Sequence, residues 1–185
     1  MKRILVTGAL GQIGTELTAE LRRRYGSESV IASDKRQETK AGVAADGPFE
    51  RIDCLKRGEI AAVVERYRVD AIFHLAALLS AVGEQRPQLA WQINMEGLFN
   101  VLEVARNHGC AVFFPSSIGA FGPETPKVDT PQDTIQRPTT IYGITKLAGE
   151  LLCNYYHRRY GVDARGLRYP GLISNVAPPG GGTTD

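Results

Sequence analysis

Lys2-Arg3-Ile4-Leu5-Val6-Thr7-Gly8-Ala9-Leu10-Gly11-Gln12-Ile13-Gly14 is the stretch on which the fold turns. Residues 2–7 form the apolar, β-rich run of a buried strand, and residues 12–25 carry a helical pattern that ends near Gly26. Glycines stand at 8, 11 and 14 between and just inside these two segments. Glycine at those places permits a tight turn, close approach of backbone to a pyrophosphate, and close contact between helix and strand. The helix start then offers amides and a positive dipole end to phosphate. The competing reading is an ordinary glycine-rich turn. The strand–turn–helix context at the start of a sheet favours a phosphate cradle in which Gly8, Gly11, Gln12, Ile13 and Gly14 face the ligand.

The rest of the chain repeats that alternation. Strands are expected over residues 30–33, 49–52, 71–75, 111–115 and 163–169, and helices over 55–67, 87–108 and 141–160. Pro87 suits a first helical turn, and Gly109 and Gly161 suit helix ends. The expected fold is therefore α/β, a doubly wound parallel sheet of Rossmann type. Ala111-Val112-Phe113-Phe114 is apolar throughout, as a strand covered on both faces should be. In such sheets ligands bind at the carboxyl ends of the strands.

Composition sets limits. The chain has 185 residues, enough for one domain with a sizeable core, and 43% are hydrophobic, a globular proportion. A net charge of +2 gives no reason to expect a nucleic-acid or anionic-membrane partner. No apolar run is long enough to span a bilayer, and the apolar start stops at Gly8, too soon for a signal peptide. Cys54, Cys110 and Cys153 have no metal-ligand spacing with one another or with His74, His108 and His157, so no metal is expected. An odd cysteine count without a framework fits a reduced cytoplasm.

Residues that follow strands carry the expected chemistry. Asp34 closes the second strand, where a carboxylate accepts bonds from ribose hydroxyls and repels a 2′-phosphate, which argues for NAD over NADP. Lys35 and Arg36 follow it directly and are able to hold a phosphate. Asp53 and Cys54 follow the third strand, on the adenine side. His74 ends the fourth strand and reads as a packed neutral histidine, and the small residues after it, Leu75-Ala76-Ala77, let backbone run beside a cofactor. Tyr142 and Lys146 stand four apart, on one face of a helix. A cation beside a phenol favours the phenolate, which turns a group with a reference pKa near ~10 into a base. The bland alternative is a solvated lysine beside a half-buried tyrosine.

Taken in order, Gly8/Gly11/Gly14, Asp34, Asp53, His74 to Ala77, Asn94, Ser116-Ser117, Tyr142 and Lys146 resemble the extended short-chain dehydrogenase/reductase family. The resemblance covers essentially the whole chain. Within the family the chain is most similar to the epimerase-type NAD-dependent L-threonine 3-dehydrogenases. The stretches that carry this are residues 6–14, Leu78-Leu79-Ser80-Ala81, the run from Pro115 to Pro123, and residues 167–185 with their Pro-Pro-Gly-Gly-Gly-Thr-Thr-Asp end. Nucleotide-sugar epimerases of the family usually carry an asparagine after an aromatic pair that follows the sixth strand. Here Arg168-Tyr169-Pro170-Gly171 places a glycine there, which suits a small substrate.

The resemblance implies hydride transfer from C3 of L-threonine to NAD, giving 2-amino-3-ketobutyrate. It assigns Tyr142 as the base, Lys146 as the group that lowers its pKa and bonds the nicotinamide ribose, and Ser117, four residues before Phe121, as the holder of the substrate oxygen. Asn94 would position the cofactor, or Lys146 through water; a polar surface residue is the alternative. Tyr169, Gly171 and Ile173 would contact the nicotinamide end. Ser80, and less directly Thr183 and Thr184, would contact substrate, although by composition the tail reads as a disordered loop. The resemblance also implies a homodimer paired through the two long helices; the apolar stripe Leu98, Val101, Leu102 and Ala105 fits such a face or an ordinary core. The resemblance implies that residues 1–170 form the NAD-binding unit and that 171–185 begin a small substrate lobe, of which this sequence is expected to hold little. An NAD-dependent nucleotide-sugar epimerase or dehydratase shares every cofactor residue, and a non-catalytic NAD-binding protein shares the fold.

Overall fold

The computed structural model describes residues 3–37 and 42–173. Six parallel strands, β1 (Ile4–Thr7), β2 (Val30–Asp34), β3 (Phe49–Arg51), β4 (Ala71–His74), β5 (Ala111–Ser117) and β6 (Ala164–Tyr169), form one sheet in the order β3-β2-β1-β4-β5-β6. The order reverses at β1, where the chain crosses from one side of β1 to the other, and a crevice opens between β1 and β4.

Alternate residues of the strands feed two cores. Leu5, Ile31, Ile72 and Val112 point to the face covered by α2 (Arg57–Tyr67), α5 (Gly97–His108) and α6 (Ile141–Tyr160). Ile4, Val6, Val30 and Ala32 point to the other face, against α1 (Gln12–Tyr25). Both faces of β1 and β2 are thus buried, which accounts for the apolar runs Ile4-Leu5-Val6 and Val30-Ile31-Ala32. Leu98, Val101, Leu102 and Ala105 all lie in the first core, so the stripe is packing and not an exposed face.

Three departures from the sequence reading bear on the site. A short helix, α3 (Ser80–Gln85), follows β4; six residues that include Gly83 show no helical period. The expected helix over 87–108 is α4 (Pro87–Trp91), a π turn (Gln92–Glu96) and then α5. The wide turn carries Asn94 inward, where its side chain is buried. Finally, β5 runs on to Ser117, because Ser116 and Ser117 pair with Arg168 and Tyr169 of β6. Among the described residues, no helix is long and apolar enough to cross a membrane.

Candidate active site

The glycine turn is shaped by close approach. Gly8 has a φ of +71°, and a Cβ there would meet the Ala76 nitrogen at 2.7 Å. A Cβ at Gly14 would lie 2.2 Å from the Gly8 carbonyl oxygen. These positions bind α1, β1 and the segment after β4 into one tight junction. At Gly11 a Cβ would meet only the Gly8 oxygen, at 3.2 Å, so its outer side is open. Gly11 caps α1 without a side-chain bond, and the first turn of α1 holds no acidic residue. The positive end of the helix therefore carries no acidic side chain of its own, which fits the pyrophosphate of a dinucleotide.

Two adjoining clefts run from this turn and share Gly8, Gly11, Leu75 and Ala77. One reaches Asp34, Asp53, Cys54 and Ala76. The other reaches Gln12, Ile13, Gly14, Ser80, Ser117, Tyr142, Lys146, Tyr169 and Gly171. Nearly all the residues singled out in the sequence thus line one continuous groove. Ile173 does not; it is 86% exposed beyond the groove. Asn94 does not line it either. Its amide accepts from the Leu78 N–H at 2.7 Å and donates to the Leu78 carbonyl and the Thr145 hydroxyl, so it clamps the segment before Ser80 to α6. Thr183 and Thr184 lie outside the described residues.

At the first cleft, Asp34 is buried and its carboxylate accepts from the Leu10 N–H at 3.3 Å and from Arg36 through Nε at 3.0 Å and Nη2 at 3.2 Å. Burial pushes its pKa up, but the bonds from Arg36 more than offset this and hold it below the ordinary value. Lys35 pairs with Asp53 at 3.0 Å. The two cations beside Asp34 are each engaged by a carboxylate, so neither is held ready for a phosphate.

At the second cleft, α6 presents Tyr142 and Lys146. Its start is secured by Thr140, which accepts from the Gly143 N–H, and by Glu84 of α3, which accepts from the Ile141 N–H at 2.7 Å. Tyr142 sits in that first turn and lines the same cleft as Ser117, whose hydroxyl acts to lower the phenol pKa. Ser117 Oγ also accepts from the Gly119 N–H at 3.0 Å. Lys146 is buried, and its ammonium donates to the Pro115 carbonyl at 2.6 Å, 5.4 Å from the centre of the Tyr142 ring. Burial lowers its pKa to about 8.

The effect on Tyr142 differs from the sequence expectation. Burial raises the phenol above its ordinary value, and the Ser117 hydroxyl only partly counters that; the Lys146 ammonium is directed at Pro115. His74 is fully enclosed, bonds the Thr7 hydroxyl at 2.8 Å through Nδ1, and is pushed down to about 3 by burial and then by Lys146. It is the packed neutral histidine that its apolar surroundings suggested. Among the described residues no group of histidine, cysteine or carboxylate side chains is placed to hold a metal.

Two residues not singled out in the sequence join the site. Glu150 accepts from the Ser116 hydroxyl and from Arg168 at 2.9 Å and 2.7 Å. Glu150 repeats the four-residue step of Tyr142 and Lys146, a signal that was present in the sequence. Arg168 had none, because its partner lies on another element.

Similarity to known proteins agrees with this geometry. The chain matches the NAD dependent epimerase/dehydratase family over residues 4–183. An uncharacterized epimerase/dehydratase of Staphylococcus haemolyticus is 56% identical over 185 residues, all of this chain and 58% of the relative. The X-ray structure of L-threonine dehydrogenase from Clostridium difficile superposes with a TM-score of 0.95 at 56% identity, over 98% of this chain and 57% of that one. The holo form of a GalE-like L-threonine dehydrogenase from Cupriavidus necator superposes with a TM-score of 0.92 at 52% identity, over 97% and 57%. The chain thus spans a little over half the length of these proteins. Its matched sequence, its sheet order and its glycine cradle lead to one conclusion: the chain belongs to the NAD dependent epimerase/dehydratase family.

Proposed function

We propose that the protein containing this chain is an NAD-dependent L-threonine 3-dehydrogenase. The observation that carries the reading is the second cleft, where Ser117 and Tyr142 meet the glycine turn on one side and Ser80 and Gly171 on the other. Gly171 puts no side-chain amide at the exit of β6, where a sugar-nucleotide enzyme would use one, and the two similar threonine dehydrogenase structures support the choice of a small amino acid.

The bound dinucleotide supplies the hydride acceptor. Asp34 would hold the adenosine ribose, Gly11 to Gly14 the pyrophosphate, and the reacting end would come beside Tyr142, all of which line the two clefts. Ser117 holds the substrate hydroxyl, and Tyr142 as phenolate accepts its proton while C3 loses hydride. The carbon becomes a ketone, and the product is 2-amino-3-ketobutyrate. Burial opposes the phenolate, so the nearby Ser117 hydroxyl, which lowers the phenol pKa, is part of what makes Tyr142 a base. Ser80, which lines the cleft at the start of α3, contacts the substrate.

Two further assignments accompany this reading. Trp91, Phe99, Leu151 and Tyr155 are 46, 47, 60 and 52% exposed on the helices α4, α5 and α6, a set of large apolar side chains suited to a homodimer contact. The three cysteines are free and buried, which suits a reducing cytoplasm.

The test is to incubate the full-length protein with NAD and L-threonine and follow absorbance in the NADH band. Turnover of a nucleotide-sugar without any signal from threonine would replace this reading with an epimerase or dehydratase.

A further inference from the structure

Three residues on one face of α6, Tyr142, Lys146 and Glu150, follow at four-residue steps, and each meets the end of β5. Lys146 bonds the Pro115 carbonyl and Glu150 the Ser116 hydroxyl, while Tyr142 lines one cleft with Ser117, whose hydroxyl acts to lower its pKa. Of the three, Glu150 alone is also tied to β6. Arg168 grips both its oxygens, through Nε at 2.9 Å and Nη2 at 2.7 Å. The same guanidinium donates to the Gln132 carbonyl at 2.9 Å and the Gln136 side chain at 3.2 Å, and lies 5.1 Å from the centre of the Phe121 ring. Phe121, Gln132 and Gln136 belong to the loop that leaves Ser117 and leads back into α6.

We propose that Glu150 and Arg168 are a positioning pair, which holds the Ser117 end of β5 and the Tyr169–Gly171 exit of β6 in register with Tyr142. The inference rests on the roles given above to Ser117 and Tyr142. Both ends of the Ser117–Tyr142 contact are connected to the pair: Ser117 through the adjacent Ser116, and Tyr142 through the helix it shares with Glu150. Arg168 closes the circuit, because Tyr169 follows it and the loop beyond Ser117 is fastened to its guanidinium. The pair is largely buried, with side-chain exposures of 16% and 19%. An ion pair so placed contributes little net stability compared with apolar residues of equal volume. Its two-point, planar geometry fixes direction instead. Burial raises the Glu150 pKa, but the bonds from Arg168 and Ser116 outweigh it, so the carboxylate stays ionised and the grip is kept.

The experiment uses the full-length protein with fluorotyrosine in place of tyrosine, whose phenols ionise at lower pH. The 19F resonance of Tyr142 is the one missing from Tyr142→Phe. In Glu150→Gln the ionisation midpoint of Tyr142 should rise by about one pH unit, the equivalent of a tenfold loss of phenolate. The Kd for NAD, measured by calorimetry, should stay within about twofold, and kcat with L-threonine should fall about tenfold with KM little changed. Arg168→Lys keeps the charge without the two-point contact and should shift the midpoint in the same direction, so it carries the test if Glu150→Gln fails to fold. A midpoint that stays put in the folded variants would overturn the proposal and leave the pair a structural tie. The titration needs no substrate. A wild-type protein that ignores threonine would count against the proposed activity, while the midpoints would still decide the role of the pair.

Discussion

Lys146 donates to the Pro115 carbonyl at 2.6 Å while its nitrogen stays 5.4 Å from the centre of the Tyr142 ring. The lysine in this structure thus secures α6 to the end of β5, and the Ser117 hydroxyl is the group that lowers the phenol pKa. Tyr142 lines the cleft that the glycine turn also lines.

Tyr142→Phe should therefore abolish turnover and leave NAD affinity nearly intact. The ring and its packing survive, and only the proton acceptor is removed. General base loss of this kind costs roughly 10²–10⁴-fold in rate. Calorimetry with NAD and a steady-state assay on the same sample separate the two effects. Loss of NAD binding along with activity would show that the phenol holds the cofactor instead.

Lys146 gives a pH dependence with a definite sign. Its folded pKa is about 8, below the ordinary 10.5, because burial disfavours the ammonium. Between these values the unfolded chain holds a proton that the folded chain has released, so stability rises with pH across that window. Relative to Lys146→Met, the wild type should gain on the order of 3 kcal/mol from pH 8 to pH 10.5, with a flat difference below pH 8. Urea unfolding of both proteins across that range checks it. A difference that does not change with pH would mean that the ammonium is not desolvated.

What could be read from the sequence follows from the range of the interactions involved. Gly8, Gly11 and Gly14 stand out because backbone contact demands them one by one. The strands stand out because burial on both faces leaves apolar runs such as Ile4-Leu5-Val6 and Val30-Ile31-Ala32. The π turn was not visible, since Gln92 to Glu96 are residues that suit any helix, and its cause is the bonding of Asn94 to the Leu78 backbone. Backbone partners such as the Pro115 carbonyl leave no mark on residue identity. The Glu150–Arg168 pair joins α6 to β6, and no local period reports it. Tyr142 and Ser117 were legible as types and positions, but the burial that raises the phenol depends on the assembled cleft.

Asp34→Ser should narrow the preference for NAD over NADP by about tenfold or more, consistent with the loss of a charged hydrogen-bond acceptor. The substitution removes the acceptor of the ribose hydroxyls and the charge that repels a 2′-phosphate. It also releases Arg36, which the carboxylate now holds through two nitrogens, so a cation becomes free at the same spot. Dissociation constants for both dinucleotides measure the ratio. An unchanged ratio would remove Asp34 from cofactor choice.

Leu151→Glu tests the homodimer assignment. Leu151 is 60% exposed on α6, and Ile144 and Tyr155 share its face at helical spacing, with 41% and 52% exposure. Across a two-fold axis such a face meets its own copy, so one substitution places two carboxylates in the same apolar contact. Burying an unpaired charge is costly, whereas the same glutamate on a free monomer lies in water. Sedimentation of the full-length variant should give the mass of one chain where the wild type gives two, with the thermal midpoint of the monomeric fold close to unchanged. A variant that keeps the wild-type mass would show that α6 does not carry the contact.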